Sequence, residues 1–149
     1  MGTKGANTVF IGEYQHTIDC KGRLIIPTYF REGLTEKFIL TKGLDNCLFA
    51  YPPSEWIALE NKMRALPLNK ADARAFIRFC FAGACECSFD RQGRILIPAN
   101  LRNYAGLERE ITVTGASMHV EIWAKERWDI YTAEVTNKIT QLAESLMEF

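Results

Sequence analysis

The sequence predicts an α+β protein, rich in short strands, built as a pseudo-two-fold duplication of one unit. Three observations lead there. A nine-residue pattern occurs twice, as Asp19-Cys20-Lys21-Gly22-Arg23-Leu24-Ile25-Ile26-Pro27 and as Asp90-Arg91-Gln92-Gly93-Arg94-Ile95-Leu96-Ile97-Pro98. Asp, Gly, Arg and Pro hold the same spacing, and three branched aliphatics precede each Pro. The residues after one copy replay those after the other, the mark of an internal repeat.

Taken in order, residues 1–9 read as a polar tail. Phe10 to Ile18 alternates loosely and reads as a strand leading into the first pattern. After Pro27, Thr28 to Gly33 reads as a short helix closed by glycine. Lys37 to Thr41 is a strand, Lys42 to Asn46 a turn and Cys47 to Tyr51 a second strand. Pro52-Pro53-Ser54-Glu55 opens a helix with Ser54 as N-cap; Trp56, Leu59, Met63 and Leu66 fall at helical spacing before Pro67. Asn69 caps a further helix with Ala73, Phe76, Ile77 and Cys80 as its apolar stripe, ended at Gly83.

The second half repeats this order. Cys85 to Phe89 is the strand before the second pattern, and Ala99 to Tyr104 is the short helix, ended near Gly106. Glu110 to Thr114 matches Phe38 to Lys42, and His119 to Trp123 matches Cys47 to Tyr51. The offset from the later strands on is one residue more than the offset from Asp19 to Asp90. A longer last helix begins near Glu126, with Trp128, Tyr131, Val135, Leu142 and Leu146 on one face. A half of this size buries only ~60% of its unfolded surface, so the two halves are expected to share a core.

Each copy of the pattern has a physical logic. Aspartate accepts from backbone amides just after it and starts a turn. Glycine takes the positive φ that other residues resist. The aliphatics form a short strand, and proline, without an N–H, ends the ladder. Arg23 and Arg94 stand where turn becomes strand, with Asp19, Gly22, Asp90 and Gly93 bracing them and Lys21 and Arg91 adding charge at the tips. From the residues alone two readings stand side by side: an ion pair that pins each turn, or an arginine presented to an anionic partner.

Composition bounds the rest. At 149 residues, 48% hydrophobic and 24% charged, this is an ordinary globule. It has no apolar run of membrane-spanning or signal-peptide length. Five cysteines without paired Cys-x-x-Cys clusters suggest free thiols in a reducing cytoplasm. Cys80, Cys85, Cys87 and His119 lack the spacing of a structural zinc site, so no metal and no cofactor is expected. The formal net charge of zero counts against a simple nucleic-acid binder but leaves room for a local basic patch multiplied by assembly. Lys70, Arg74 and Arg78 form a second basic stripe, read first as a solvated face or a subunit contact. His16 is read as a packing residue, and Trp56, Trp123 and Trp128 as core or interface anchors.

The doubled Asp-x-x-Gly-Arg-x-x-Ile-Pro pattern resembles the AbrB-type swapped-hairpin DNA-binding proteins. Phe10 to Arg23, the run Tyr51-Pro52-Pro53-Ser54-Glu55-Trp56 and the run Gly83-Ala84-Cys85-Glu86-Cys87 resemble one branch of these, the bacterial MraZ family, over nearly the whole chain. The resemblance implies two interlocked AbrB-like swapped-hairpin β-barrel repeats, 10–81 with a helical insert and 82–149 with the C-terminal helix. It implies a ring-shaped homo-oligomer associated with the nucleoid. It further implies a transcriptional regulator that binds double-stranded DNA at promoter repeats of its own operon, in the division and cell-wall gene cluster. The family signature Asp-x-x-x-Arg falls on Asp19 with Arg23 and on Asp90 with Arg94.

Two other function classes compete. An assembly or antitoxin-like interaction module would use the C-terminal helix and need no DNA. An enzyme is disfavoured, since no nucleophile–base pair or phosphate-cradling loop is visible and no small-molecule substrate is implied.

Overall fold

The computed structural model describes residues 8–147. Residues 1–7 of the expected tail lie outside the described residues; the Val9 carbonyl already accepts a hydrogen bond from Tyr29 Oη at 2.5 Å.

Among the described residues eight strands and six helices follow one another as β1 Glu13–Thr17, β2 Arg23–Ile25, α1 Thr28–Leu34, β3 Lys37–Lys42, β4 Leu48–Tyr51, α2 Pro53–Arg64, α3 Ala71–Ala82, β5 Cys85–Ser88, β6 Arg94–Leu96, α4 Ala99–Ala105, β7 Glu110–Gly115, β8 Val120–Ala124, α5 Lys125–Thr136 and α6 Ile139–Leu146. Six strands form one antiparallel sheet in the order β1-β7-β8-β4-β3-β5, and β2 pairs with β6 as a separate ribbon.

The sheet order is symmetric about its middle, and its edges are exchanged. β1, from the first half, lies against β7 of the second; β5, from the second half, lies against β3 of the first. This is the swapped-hairpin arrangement, with each half supplying the outer strand of the other's sheet. The pseudo-two-fold axis can be located from the pairing. Leu24 lies opposite Ile95, its own counterpart in the second pattern, and Phe49 lies opposite Glu121, its counterpart in the matching strand.

One core joins the halves. Alternation along the strands sends Leu24, Ile26, Ile95 and Ile97 inward, where they meet Phe30 and Leu34 of α1, Leu101 and Ala105 of α4, and Phe38, Leu40, Ile111 and Val113 of the sheet. β7 is an inner strand with α5 against it, so Ile111, Thr112, Val113 and Thr114 are all buried. The buried threonines are satisfied: Thr112 Oγ1 donates to Gln15 Oε1 at 3.0 Å and Thr114 Oγ1 to the Gly12 carbonyl at 3.1 Å.

The structure corrects several expectations. Leu40 pairs with Cys85 and Val113 with Tyr14, so Leu40 and Val113 are equivalent. The third strands are therefore offset by two residues more than the pattern, not by one. The hairpin after β7 is one residue shorter than that after β3, which returns the fourth strands to the expected offset. α1 ends at Leu34 with Thr35 at φ 72°, not at Gly33. Gly33 lies inside the helix because the Phe10 ring packs where its Cβ would be, 2.5 Å away.

Further corrections concern the helices. α2 begins at Pro53, whose fixed φ suits the first helical position, so Ser54 lies within the first turn. Lys70 rather than Asn69 precedes α3, since a turn closed by Lys70 N–H on the Pro67 carbonyl takes up Asn69. Phe76 is exposed; Ile77, Phe79 and Cys80 carry the packing face of α3. The expected long last helix is two helices broken at Asn137–Lys138, after Thr136 and Asn137, both weak helix formers.

Candidate nucleic-acid interface

Each pattern folds as a closed local unit. Asp19 Oδ1 accepts from the backbone N–H of Lys21 at 3.0 Å and of Arg23 at 2.8 Å, while Asp19 Oδ2 accepts from Arg23 Nε at 2.7 Å. Asp90 repeats this with Gln92 N–H at 2.9 Å, Arg94 N–H at 2.9 Å and Arg94 Nε at 2.8 Å. The amides of Gly22 and Gly93 close the turns on the carbonyls of Asp19 and Asp90, both at 3.0 Å, with φ of 89° and 76°. The backbone N–H of Arg23, then its side chain, holds the Asp19 carboxyl below its ordinary range, against a partial penalty from burial; Arg94 does the same for Asp90.

The carboxylate takes up only Nε of each arginine. Among the described residues the Nη groups of Arg23 and Arg94 have no hydrogen-bond partner, and the Nε bond orients each guanidinium. The side chains of Arg23 and Arg94 keep 36% and 26% of their exposure.

The strand pairing then brings the two units onto one surface. In the β2–β6 ribbon Arg23 is opposite Leu96 and Ile25 is opposite Arg94, so these four share the outward face while Leu24 and Ile95 face the core. Diagonal neighbours of this kind lie ~7–8 Å apart. Arg23, Asp90, Arg94 and Leu96 line one open concavity of about 220 Å³. Small-molecule sites run to ~300–1,000 Å³, so the shape suits a surface partner rather than an enclosed substrate.

Lys21 and Arg91 are exposed at the turn tips. The structure does not bring these two together. The Ile97 N–H bonds the Gly22 carbonyl at 2.8 Å and the Ile26 N–H bonds the Gly93 carbonyl at 3.1 Å, so each turn abuts the far end of the other's strand and the tips stand at opposite ends of the ribbon. The repeat therefore places Arg23 and Arg94 equivalently but not the tip cations: Gln92 stands at the place of Lys21, and Arg91 at the place of Cys20.

Two arginines that the motif reading missed complete the cluster. Arg31 lies over Gly93, and Arg102, its counterpart in the second half, lies over Gly22 with its Nε donating to the Ile97 carbonyl at 2.9 Å. A guanidinium from each half thus covers the turn of the other. A cation kept at the repeat offset was the available signal.

The remaining candidates separate from this face. Arg74 Nη1 is engaged by the Leu68 carbonyl at 3.0 Å, and Arg78 is exposed on α3. His119 packs on Phe49 and Tyr51, and its Nε2 is 3.0 Å from Glu121 Oε2, which removes it from the cysteines. Among the described residues no group of three His, Cys, Asp or Glu could hold a metal ion. Trp56 packs between Tyr51 and Phe81, and Trp123 is buried against Trp128. Among the described residues no helix is long and apolar enough to cross a membrane.

Comparison with known proteins adds to this geometry. The family model described as "MraZ protein, putative antitoxin-like" matches residues 9–79 and again 80–149. The chain is 58% identical over 140 residues to a protein of Desulforamulus reducens, covering 94% of this chain and 99% of that one. It is 57% identical over 141 residues to a protein of Moorella thermoacetica, covering 95% and 99%. It is 57% identical over 138 residues to one of Acetivibrio thermocellus, covering 93% and 96%. Each of the three is named a transcriptional regulator.

Proposed function

The chain belongs to the MraZ family, and we propose that it is a sequence-specific double-stranded DNA-binding transcriptional regulator that reads promoter repeats through its two Asp-x-x-Gly-Arg turns. The observation that carries this reading is the shared outward face of the β2–β6 ribbon, where Arg23 and Arg94 are each held through Nε by their own aspartate.

A two-stranded ribbon fits the major groove, ~12 Å wide. An arginine fixed at Nε offers its Nη edge as a fork to guanine O6 and N7, worth ~1–3 kcal/mol of discrimination per good pair. Asp19 and Asp90 orient the arginines and stay off the phosphates, which would repel them. Lys21 and Arg91 sit at the ends of the ribbon, where the backbone of a groove-bound duplex passes, and take phosphates.

One chain of zero net charge offers few cations. A homo-oligomeric ring repeats them, and repeated sites on DNA then match repeated chains, which raises affinity without new contact types. The family resemblance supports a target in the promoter of its own operon within the division and cell-wall gene cluster, and a place on the nucleoid. The relatives' names support regulation rather than catalysis.

The test is fluorescence anisotropy on the DNA upstream of the chain's own gene, with wild type beside Arg23→Ala and Arg94→Ala and light scattering to follow assembly. Salt-dependent, selective binding by wild type that both variants lose supports the reading. Equal binding by variants and wild type refutes it. A second reading, a protein-interaction module, draws on the antitoxin-like family description and on the exposed Ile139, Leu142 and Leu146 of α6. A chain that binds no DNA at any salt but retains its assembly would favour it.

A further inference from the structure

We infer that Ile25 and Leu96 read thymine methyl groups beside the bases taken by the arginines; the inference rests on the DNA-reading role of the ribbon proposed above. Both side chains point outward, 44% and 61% exposed, while their neighbours Leu24, Ile26, Ile95 and Ile97 are at most 1% exposed.

A strand with one face on the core ordinarily carries polar residues on the other. Here the outward position is a branched aliphatic in both copies, at equivalent places in the repeat, although each copy is free to vary elsewhere, as Lys21 and Gln92 do. The two aliphatics alternate with the two arginines: Leu96 is paired across from Arg23, and Ile25 across from Arg94. A partner for that face must be anionic yet present apolar spots between its acceptors. The major groove of duplex DNA does so, since thymine alone projects a C5 methyl beside the guanine acceptors. The dimensions agree: positions i and i+2 of a strand are ~6.7 Å apart, close to two base-pair steps of ~3.4 Å.

The experiment replaces thymine by deoxyuridine, which deletes the methyl and leaves every hydrogen-bonding group in place. The probe is the duplex that wild type enriches from a pool of random-sequence duplexes. Wild type should lose roughly fourfold in affinity per contacted thymine, the worth of one buried methyl group. Ile25→Ala with Leu96→Ala should lose a similar factor on the thymine duplex and nothing further on the uracil duplex, with assembly by light scattering unchanged. Uracil sensitivity equal in wild type and variant, or absent in wild type, overturns the inference. So does a change of assembly size at unchanged uracil sensitivity. Arg23→Ala with Arg94→Ala runs alongside. If that variant binds as wild type does, or if wild type enriches no duplex, the reading of the ribbon fails and this inference with it. If the arginine variant loses binding while the aliphatic variant behaves as wild type, this inference alone fails.

Discussion

Arg31 of the first half rests over Gly93 of the second, occupying the space where a Cβ on that glycine would stand. At the equivalent place a Cβ on Gly22 would meet not only Arg102 Nε but also the Ile97 backbone carbonyl, both 2.8 Å away. The turns look alike, yet they tolerate change differently. An arginine end can swing aside, whereas a backbone carbonyl moves only with its chain.

Gly93→Ala is therefore expected to lose about 1–2 kcal/mol, the cost of a left-handed alanine, or roughly 4 °C in Tm for a chain of this size. Gly22→Ala should lose clearly more, because its Cβ also displaces the Ile97 carbonyl. Thermal melts of the two variants side by side check this ordering.

Charge and fork should separate at the arginines. Arg23→Lys keeps the cation but not the bidentate edge. It is expected to lose most of the selectivity that Arg23→Ala loses, about 10-fold or more between the preferred duplex and a scrambled one. Lys21→Ala should instead weaken binding to both duplexes alike and lower the salt slope by ~0.9. Titrations at several salt concentrations distinguish the two patterns.

The aspartates set an acid limit. Their folded carboxyls titrate below the ordinary carboxylate range, chiefly because the backbone N–H of Arg23 or Arg94 bonds the charged form. A lowered folded value contributes stability that is complete above the unfolded pKa and is lost as pH falls through the folded one. The turns should thus be unchanged from neutrality to about pH 4 and loosen only below it. The amide shifts of Arg23 and Arg94, followed by NMR on acidification, should move together in that window, and Asp19→Asn should remove the transition from its own turn alone.

The thiols should fall into two groups. Cys20 is exposed and Cys85 half-buried, while Cys47, Cys80 and Cys87 are buried. Burial pushes the Cys47 and Cys80 thiols up. Cys85 and Cys87 share a hydrogen bond across 3.8 Å, which lowers the Cys85 thiol and, with burial, raises that of Cys87. A disulfide reagent on the native chain should modify two of the five thiols rapidly, and all five once the chain is unfolded.

What could be read from the residues was what is local. Asp19 to Pro27 announces its own turn because every partner of Asp19 lies within four residues. The duplication was legible because Asp90 to Pro98 restates it. The exchange of β1 and β5 was not derivable from periodicity, since nothing within Glu13–Thr17 says that its partner is Glu110–Thr114 rather than Lys37–Lys42. The one-residue mismatch at the third strand has the same origin: matching Gly43 to Gly115 aligned two hairpins of different length, and only the ladder shows Leu40 in the place of Val113. At the candidate site Arg23 and Arg94 were visible as motif, but Arg31 and Arg102 lie outside it, and their position depends on packing across the halves.

The exchanged edges also set a schedule for synthesis. Among the described residues β1 has no ladder partner in the first half; its ladder mates, Glu110 to Thr114, leave the ribosome almost a hundred residues later. Until then the emerging chain can close β3 on β4 but not its own first strand, and it carries an open apolar edge of the kind that aggregates. The ladder of β1 therefore waits for β7, and a ribosome stalled before Glu110 would hold out a fragment whose first strand is unpaired.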